Sequence, residues 1–312
     1  MDNLTHSLVG ALIGQTGLKR KTGLAMPALI IGANLPDVDA TCFAWLEGTE
    51  HLAFRRGITH GPPALLLLPL ILAGLLWAFD RWQAGRGEKR FGRPEGRRPV
   101  RFGWLYALSF IGCLTHPALD WLNVYGIRLL EPFSSRWFYG DTLFIIDVWL
   151  WGLMGFATWW SLRQEKRSGT WERTGRQALA LALAYIGLNG WITARAEAGR
   201  LDSPTGTNTV IASPVPGAFW KREMIAGGNG LYTLHEDETL PGVPLDRCDL
   251  AGAAAQDSQI AAFLFWSRTP FIEPREDGSL WLRDARFTDP RAASRFEVRL
   301  PGGVCPEVRT EP

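Results

Sequence analysis

The stretch PPALLLLPLILAGLLWAF, residues 62–79, contains no charged side chain. A bilayer span needs about 20 mostly apolar residues, with a lower limit near 17, so this stretch predicts a transmembrane helix. Working outward, three further segments reach or approach that length: Phe102–Leu119, Leu143–Leu162 and Ala178–Ala194, the last being the shortest. On the N-terminal side, Leu8–Leu18 and Leu24–Leu35 flank the basic turn Lys19-Arg20-Lys21. Each is too short to cross a bilayer untilted. They predict a helical hairpin that dips among the spans or crosses with a tilt, with a soluble hairpin as the alternative.

The loops orient the spans. Residues 81–101 hold Arg81, Arg86, Lys89, Arg90, Arg93, Arg97, Arg98 and Arg101; residues 163–176 hold Arg163, Lys166, Arg167, Arg173 and Arg176. Basic loops between spans stay in the cytoplasm, so both are expected there. The competing reading of the first loop is a nucleic-acid patch. A formal net charge of only +2 argues against a dedicated nucleic-acid binder. Tracing the chain from these loops puts Thr59-His60 and His116–Asp120 at the outer face. The cytoplasmic turn at Lys19-Arg20-Lys21 puts His6, Asp37 and Asp39 there too. Fifteen tryptophans suit a protein with two membrane–water interfaces. The N-terminus MDNLTHSLVG lacks a basic leader and does not read as a cleaved signal peptide.

The last third has a different texture. Phe219–Ile225, Leu231–His235, Ala261–Trp266, Leu280–Leu282 and Arg295–Leu300 read as short strands between Gly, Pro and Asp turns. The expected fold class is an all-α polytopic membrane domain over 1–198, a linker over 199–216, and a small β-rich (α+β) extracytoplasmic domain over 217–312. Cys248 and Cys305 fall in that last domain. In an oxidising compartment they can form a disulfide; two unpaired thiols are the alternative. None of the four cysteines lies in a C-x-x-C pair, which argues against a thiolate zinc ribbon.

Chemistry is concentrated in a few His and Asp residues. His116 and Asp120 are spaced i, i+4, which puts both side chains on one helix face, able to chelate one ion. Pro117 can kink that helix or restart it. Asp37-x-Asp39, after Pro36, would place both carboxylates on one side of an extended segment. With His6 and His60 these make six metal-ligand candidates on one face: His6, Asp37, Asp39, His60, His116 and Asp120. Ionisable groups at membrane depth are costly and usually functional. Imidazole and carboxylate donors suit a divalent metal, with Zn expected and Mn or Fe as alternatives. Six candidates exceed what one tetrahedral ion requires, so one or two ions are expected, with Asp37 or Asp39 as bridges. Singly, each residue also has a structural explanation: an interfacial anchor for His6, a turn or cap for the Asp pair, a local ion pair for His116 and Asp120.

A second group follows on the same side. Arg136 is a candidate to clamp a substrate phosphate or carboxylate, and Asp141 a candidate base or further ligand; an Arg–Asp structural pair is the alternative. Asp147, at the apolar start of a span, is expected to be paired. Arg55 and Arg56 can bind anions or anchor to headgroups. His51 and His235 carry no supporting pattern. There is no Gly-rich phosphate loop, G-x-S-x-G elbow or Cys/His nucleophile arrangement.

Taken as an ordered set, Met1-Asp2-Asn3-Leu4-Thr5-His6, Asn34-Leu35-Pro36-Asp37-Val38-Asp39, Arg56-Gly57-Ile58-Thr59-His60, His116-Pro117-Ala118-Leu119-Asp120, and Tyr125-Gly126 through Pro132-Phe133-Ser134 resemble the YdjM-like family of membrane-bound metal-dependent hydrolases. The similarity covers about the first 160 to 195 residues. It implies a metal-dependent hydrolase of a phosphoester or lipid-derived ester, and a distant likeness to zinc-dependent phospholipase C. The expected partners are membrane lipid and an ester substrate, with no nucleic acid. The first rival is a non-enzymatic metal-binding membrane protein that recruits a partner through its C-terminal domain. The second is a transporter, which predicts acids deep within the spans, and the spans are nearly free of them.

Overall fold

The computed structural model describes residues 1–87, 90–167, 169–201, 209–234, 238–289 and 294–306; Lys89 and His235 lie outside the described residues. The chain forms two compact units. One comprises Met1–Val38 with Arg56–Gly190, the other Asp39–Arg55 with Trp191–Pro312.

The first unit is helical. It contains α1 (Asn3–Gln15), α2 (Ala25–Asn34), α4 (Pro62–Ala84), α5 (Phe102–Trp121), α6 (Val148–Lys166) and most of α7 (Trp171–Leu201), α3 (Glu50–Phe54) belonging to the second unit. Pro62–Ala84, Phe102–Trp121 and Trp171–Gly199 are long and apolar enough to cross a membrane. Helix α4 shows why: Leu72, Ala73 and Leu76 pack inward, while Leu67, Ile71 and Leu75 on the opposite face stay exposed although they are equally apolar. A helix apolar all round needs an apolar surrounding on its outer face as well as a core on its inner one.

Helix α6 starts at Val148, five residues later than the apolar run predicts. Asp147 accepts hydrogen bonds from the Trp149 and Leu150 amides at 3.0 and 2.9 Å and so caps the helix. The Tyr185 hydroxyl donates to its other oxygen at 2.9 Å, which supplies the pairing expected of this acid.

Helices α1, α2 and α5 approach closely at glycines. A Cβ on Gly112 of α5 would lie 2.5 Å from the Leu29 carbonyl oxygen, and one on Gly10 of α1 would lie 2.7 Å from the same atom. The backbones of α1 and α5 therefore both converge on α2, as small residues permit in membrane bundles.

The second unit is α+β. Strands β1 (Thr209–Val215), β2 (Ala218–Gly228), β3 (Leu231–Leu234) and β4 (Glu238–Thr239) form an antiparallel sheet in sequence order; β5 (Pro270–Pro274), β6 (Leu280–Asp284) and β7 (Glu297–Arg299) form another. Strand β1 lies within the stretch expected to be linker, and residues 202–208 of that stretch lie outside the described residues. Its Ile211 packs with Ile225, Tyr232 and Phe271 in the core.

Ala261–Trp266, expected as a strand, is instead part of helix α9 (Ser258–Trp266), which follows α8 (Leu250–Gln256). A short apolar run does not distinguish strand from buried helix. Asp257, whose side chain accepts from the Gln259 amide at 2.8 Å, is the cap that decides it. Cys248 and Cys305 form a disulfide.

Asp284 anchors this unit. It is fully buried and accepts from Arg286 Nε and Nη2 at 2.8 Å each and from the Thr269 hydroxyl at 2.9 Å. Burial alone would raise its pKa, but Arg286 and these donors hold it down to about 2, below its ordinary 3.8. A carboxyl with a lower pKa folded than unfolded stabilises the fold above its unfolded pKa and loses that contribution as the pH falls through the folded one. The unit is expected to lose stability between about pH 4 and pH 2. Tryptophan fluorescence of the whole protein in detergent would follow this. An acid transition unchanged in Asp284→Asn would contradict it.

Candidate metal centre

The centre is assembled from three local structures. Pro36 and Asp37 begin a 3₁₀ segment, Leu35–Ala44, directly after α2. Such a helix has three residues per turn, so Asp37 and Asp39 point in directions about 120° from parallel, whereas an extended segment would align them. His60 ends a second 3₁₀ turn, Ile58–His60. His116 and Asp120 lie one turn apart on α5, which continues unbroken through Pro117.

The donors converge. His116 Nε2 lies 3.5 Å from Asp120 Oδ2 and 3.7 Å from Asp37 Oδ1, and His60 Nε2 lies 3.6 Å from Asp120 Oδ2. One donor atom from each of Asp37, His60, His116 and Asp120 falls within 4.8 Å of all the others. His6 joins from α1: its Nε2 is 3.5 Å from Asp120 Oδ1, and its ring stacks on His116 with centroids 3.8 Å apart.

These separations discriminate between two explanations. They exceed the 2.7–3.2 Å of a good hydrogen bond. His6 Nε2 and His116 Nε2 indeed make none, although both rings are fully buried. Ligands held about 2.1 Å from a tetrahedral ion lie about 3.4 Å from one another. The three separations of 3.5–3.7 Å come close to that of co-ligands around a cation, so these residues could hold a metal such as zinc.

Neighbouring groups prepare the donors. His116 Nδ1 is 2.7 Å from the Ala33 carbonyl, so Nδ1 donates to it and Nε2 is the nitrogen that faces the cluster. The close approach of α2 at Gly112 brings that carbonyl within reach. His60 Nδ1 lies 2.9 Å from the Thr59 hydroxyl. Burial, only partly offset by Asp120, pushes the His6 pKa down to about 4 and keeps the ring neutral.

Asp120 also gathers positive charge. Arg56 Nε is 3.0 Å from its Oδ2, and Arg56 Nη1 donates to Asn123 Oδ1 at 2.9 Å and to the Gly126 carbonyl at 3.3 Å. Arg56 is itself buried, sits at φ 54°, and lies over the Tyr125 ring at 4.5 Å. The Met1 amino group is buried against Asp120 Oδ1, and burial lowers its pKa.

Asp39, Asp141 and Arg136 are not in the four-residue group. Asp39 belongs to the second unit, where Arg55 Nε is 3.4 Å from its Oδ1. Asp141 is buried at φ 46° and is not in the four-residue group. Arg136 is exposed, its guanidinium over the Phe138 ring at 5.4 Å. The ion pair from Arg56 to Asp120 was not anticipated; the only signal for it was a basic residue four positions before His60.

Helices of spanning length and a buried His/Asp group that can hold a metal ion define the class: a polytopic membrane protein with a candidate metal centre. Within that class, the chain belongs to the YdjM inner membrane protein family, which matches residues 1–196 and so includes every donor. It is also similar to the uncharacterised protein YfhP of Bacillus subtilis strain 168, with 24% identity over 95% of this chain and 88% of that protein. No solved structure matches the chain.

Proposed function

We propose that this protein is a membrane-bound, metal-dependent hydrolase of a phosphoester or lipid-derived ester, working at the extracytoplasmic face of the inner membrane. The observation that carries this reading is the convergence of four His and Asp donors, each with one donor atom within 4.8 Å of the others, a group that could hold a cation. A divalent ion held there, zinc by preference, supplies Lewis acidity: it draws charge from an ester oxygen and acidifies water.

The chain's own residues supply the rest. Asp37, His60, His116 and Asp120 hold the ion, with His6 a further donor on the α1 side. The Ala33 carbonyl fixes the His116 tautomer. The carboxylates of Asp37 and Asp120 are offset by the Arg56 guanidinium and the Met1 amine, so a bound dication would leave the centre net positive, which favours an anionic substrate. In this reading Arg136 would clamp a phosphate and Asp141 would accept a proton, although neither is in the four-donor group. With the basic loops in the cytoplasm, the donor ends of the spans would face outward, and the Cys248–Cys305 disulfide suits an oxidising compartment. A substrate at headgroup level would be a membrane lipid.

The test is to purify the protein in detergent, measure bound metal, and assay phosphodiester and phospholipid substrates with and without chelator. Stoichiometric zinc and chelator-sensitive turnover are expected. Bound metal without turnover on any ester would favour the partner-recruiting protein. An absence of metal would remove the foundation of both readings.

A further inference from the structure

The two motifs that bring Asp37 and His60 to the centre are joined by residues 39–55, which do not fold with the helical unit. That segment leaves it two residues after Asp37 and returns at Arg56, the ion-pair partner of Asp120. It folds with the C-terminal part of the chain, where α3 packs on α9. The Thr49 hydroxyl donates to the Gln259 carbonyl at 2.8 Å, and the Ser258 hydroxyl donates to Glu50 Oε1 at 2.5 Å. Leu52 is fully buried. Gly48, at φ 48°, lies so close that an added Cβ would sit 1.9 Å from Gln259 Oε1. The neck of the segment is closed by its own first and last residues, Asp39 and Arg55.

We infer that residues 39–55 are a strap through which the C-terminal domain positions the metal donors, with Asp39 and Arg55 as positioning residues at its neck. The reason is covalent reach. Asp37 is two residues from Asp39, at most about 7 Å of chain, and Arg56 adjoins Arg55. A displacement of the neck is therefore passed directly to one ligand and to the arginine that pairs with another. Undocked, the strap is an open loop whose ends sample many separations. Docked and tied at the neck, its ends have a fixed separation, and less ordering remains for the ion to impose. The inference rests on the metal-centre reading above. It also gives a role to a domain that the family match does not cover.

The test measures zinc affinity of the full-length protein carrying Thr49→Val with Ser258→Ala, two changes made within the second unit at residues that are not donors. Hydrogen exchange of residues 50–54 reports docking independently. Exchange is expected to accelerate and the zinc Kd to rise about tenfold, in the range of measured couplings between sites. Thr49→Ser, which keeps the hydroxyl, is expected to restore the wild-type Kd. If the double variant does not fold, the same comparison between Ser258→Ala and wild type decides the matter. Faster exchange with an unchanged Kd would overturn the strap and leave the metal centre standing. A wild type that binds no zinc would overturn both.

Discussion

Asp120→Ala is expected to destabilise the helical unit by about 3–5 kcal/mol, the cost of removing one partner from a buried ion pair. Asp120 carries only 1% side-chain exposure, and it faces two buried cationic groups, the Arg56 guanidinium and the Met1 amine. Taking away the carboxylate removes from both the counter-charge they touch. Asp120→Asn keeps the shape and some hydrogen-bonding capacity and should fall between alanine and wild type. Arg56→Met added to Asp120→Ala should recover part of the loss, since it removes one stranded charge, although it also gives up the contact with the Tyr125 ring. Thermal unfolding in detergent, run with chelator so that no ion contributes, measures all four proteins. If Asp120→Ala unfolds within about 1 kcal/mol of wild type, Asp120 does not organise the charge of the site.

How much of this was visible in the sequence depended on range. Three of the four expected spans were, because about 20 apolar residues have few alternatives; the fourth, Leu143–Leu162, becomes α6, which is not among the helices of spanning length and apolarity in the described residues. The His116/Asp120 pair was, because helical spacing alone puts the two on one face. What failed was local geometry without a periodic signature. Asp37 and Asp39 separate because the segment winds as a 3₁₀ helix, and nothing in Leu-Pro-Asp-Val-Asp distinguishes that from an extended lead-in. Ala261–Trp266 was ambiguous on its apolar pattern, and the cap at Asp257 resolves it only once the helix start is known. The strap was invisible because its partners, Thr49 with Gln259 and Glu50 with Ser258, are more than 200 residues apart. No short-range pattern carries that pairing.

His116→Ala should have the largest effect on function. The imidazole lies close to both carboxylates, at 3.5 Å from Asp120 and 3.7 Å from Asp37, and its other nitrogen is tied to Ala33. Alanine removes the donor and the tie together. Removing a partner that merely orients a ligand costs about 10–100-fold in metal affinity. Loss of the ligand itself should exceed that, with zinc affinity down by at least about 100-fold. If the ion is the source of Lewis acidity, turnover should fall with occupancy and return in part at saturating zinc. The vacated space beside the His6 ring, which stacks on His116, has room for a free imidazole. Added imidazole should therefore raise both occupancy and turnover in the variant and do nothing for wild type. The decisive comparison is between the two readouts. A variant that keeps its zinc and loses turnover would move His116 from holding the ion to acting on substrate. One that keeps both would show that the donor spacing around His116 does not mark a metal centre.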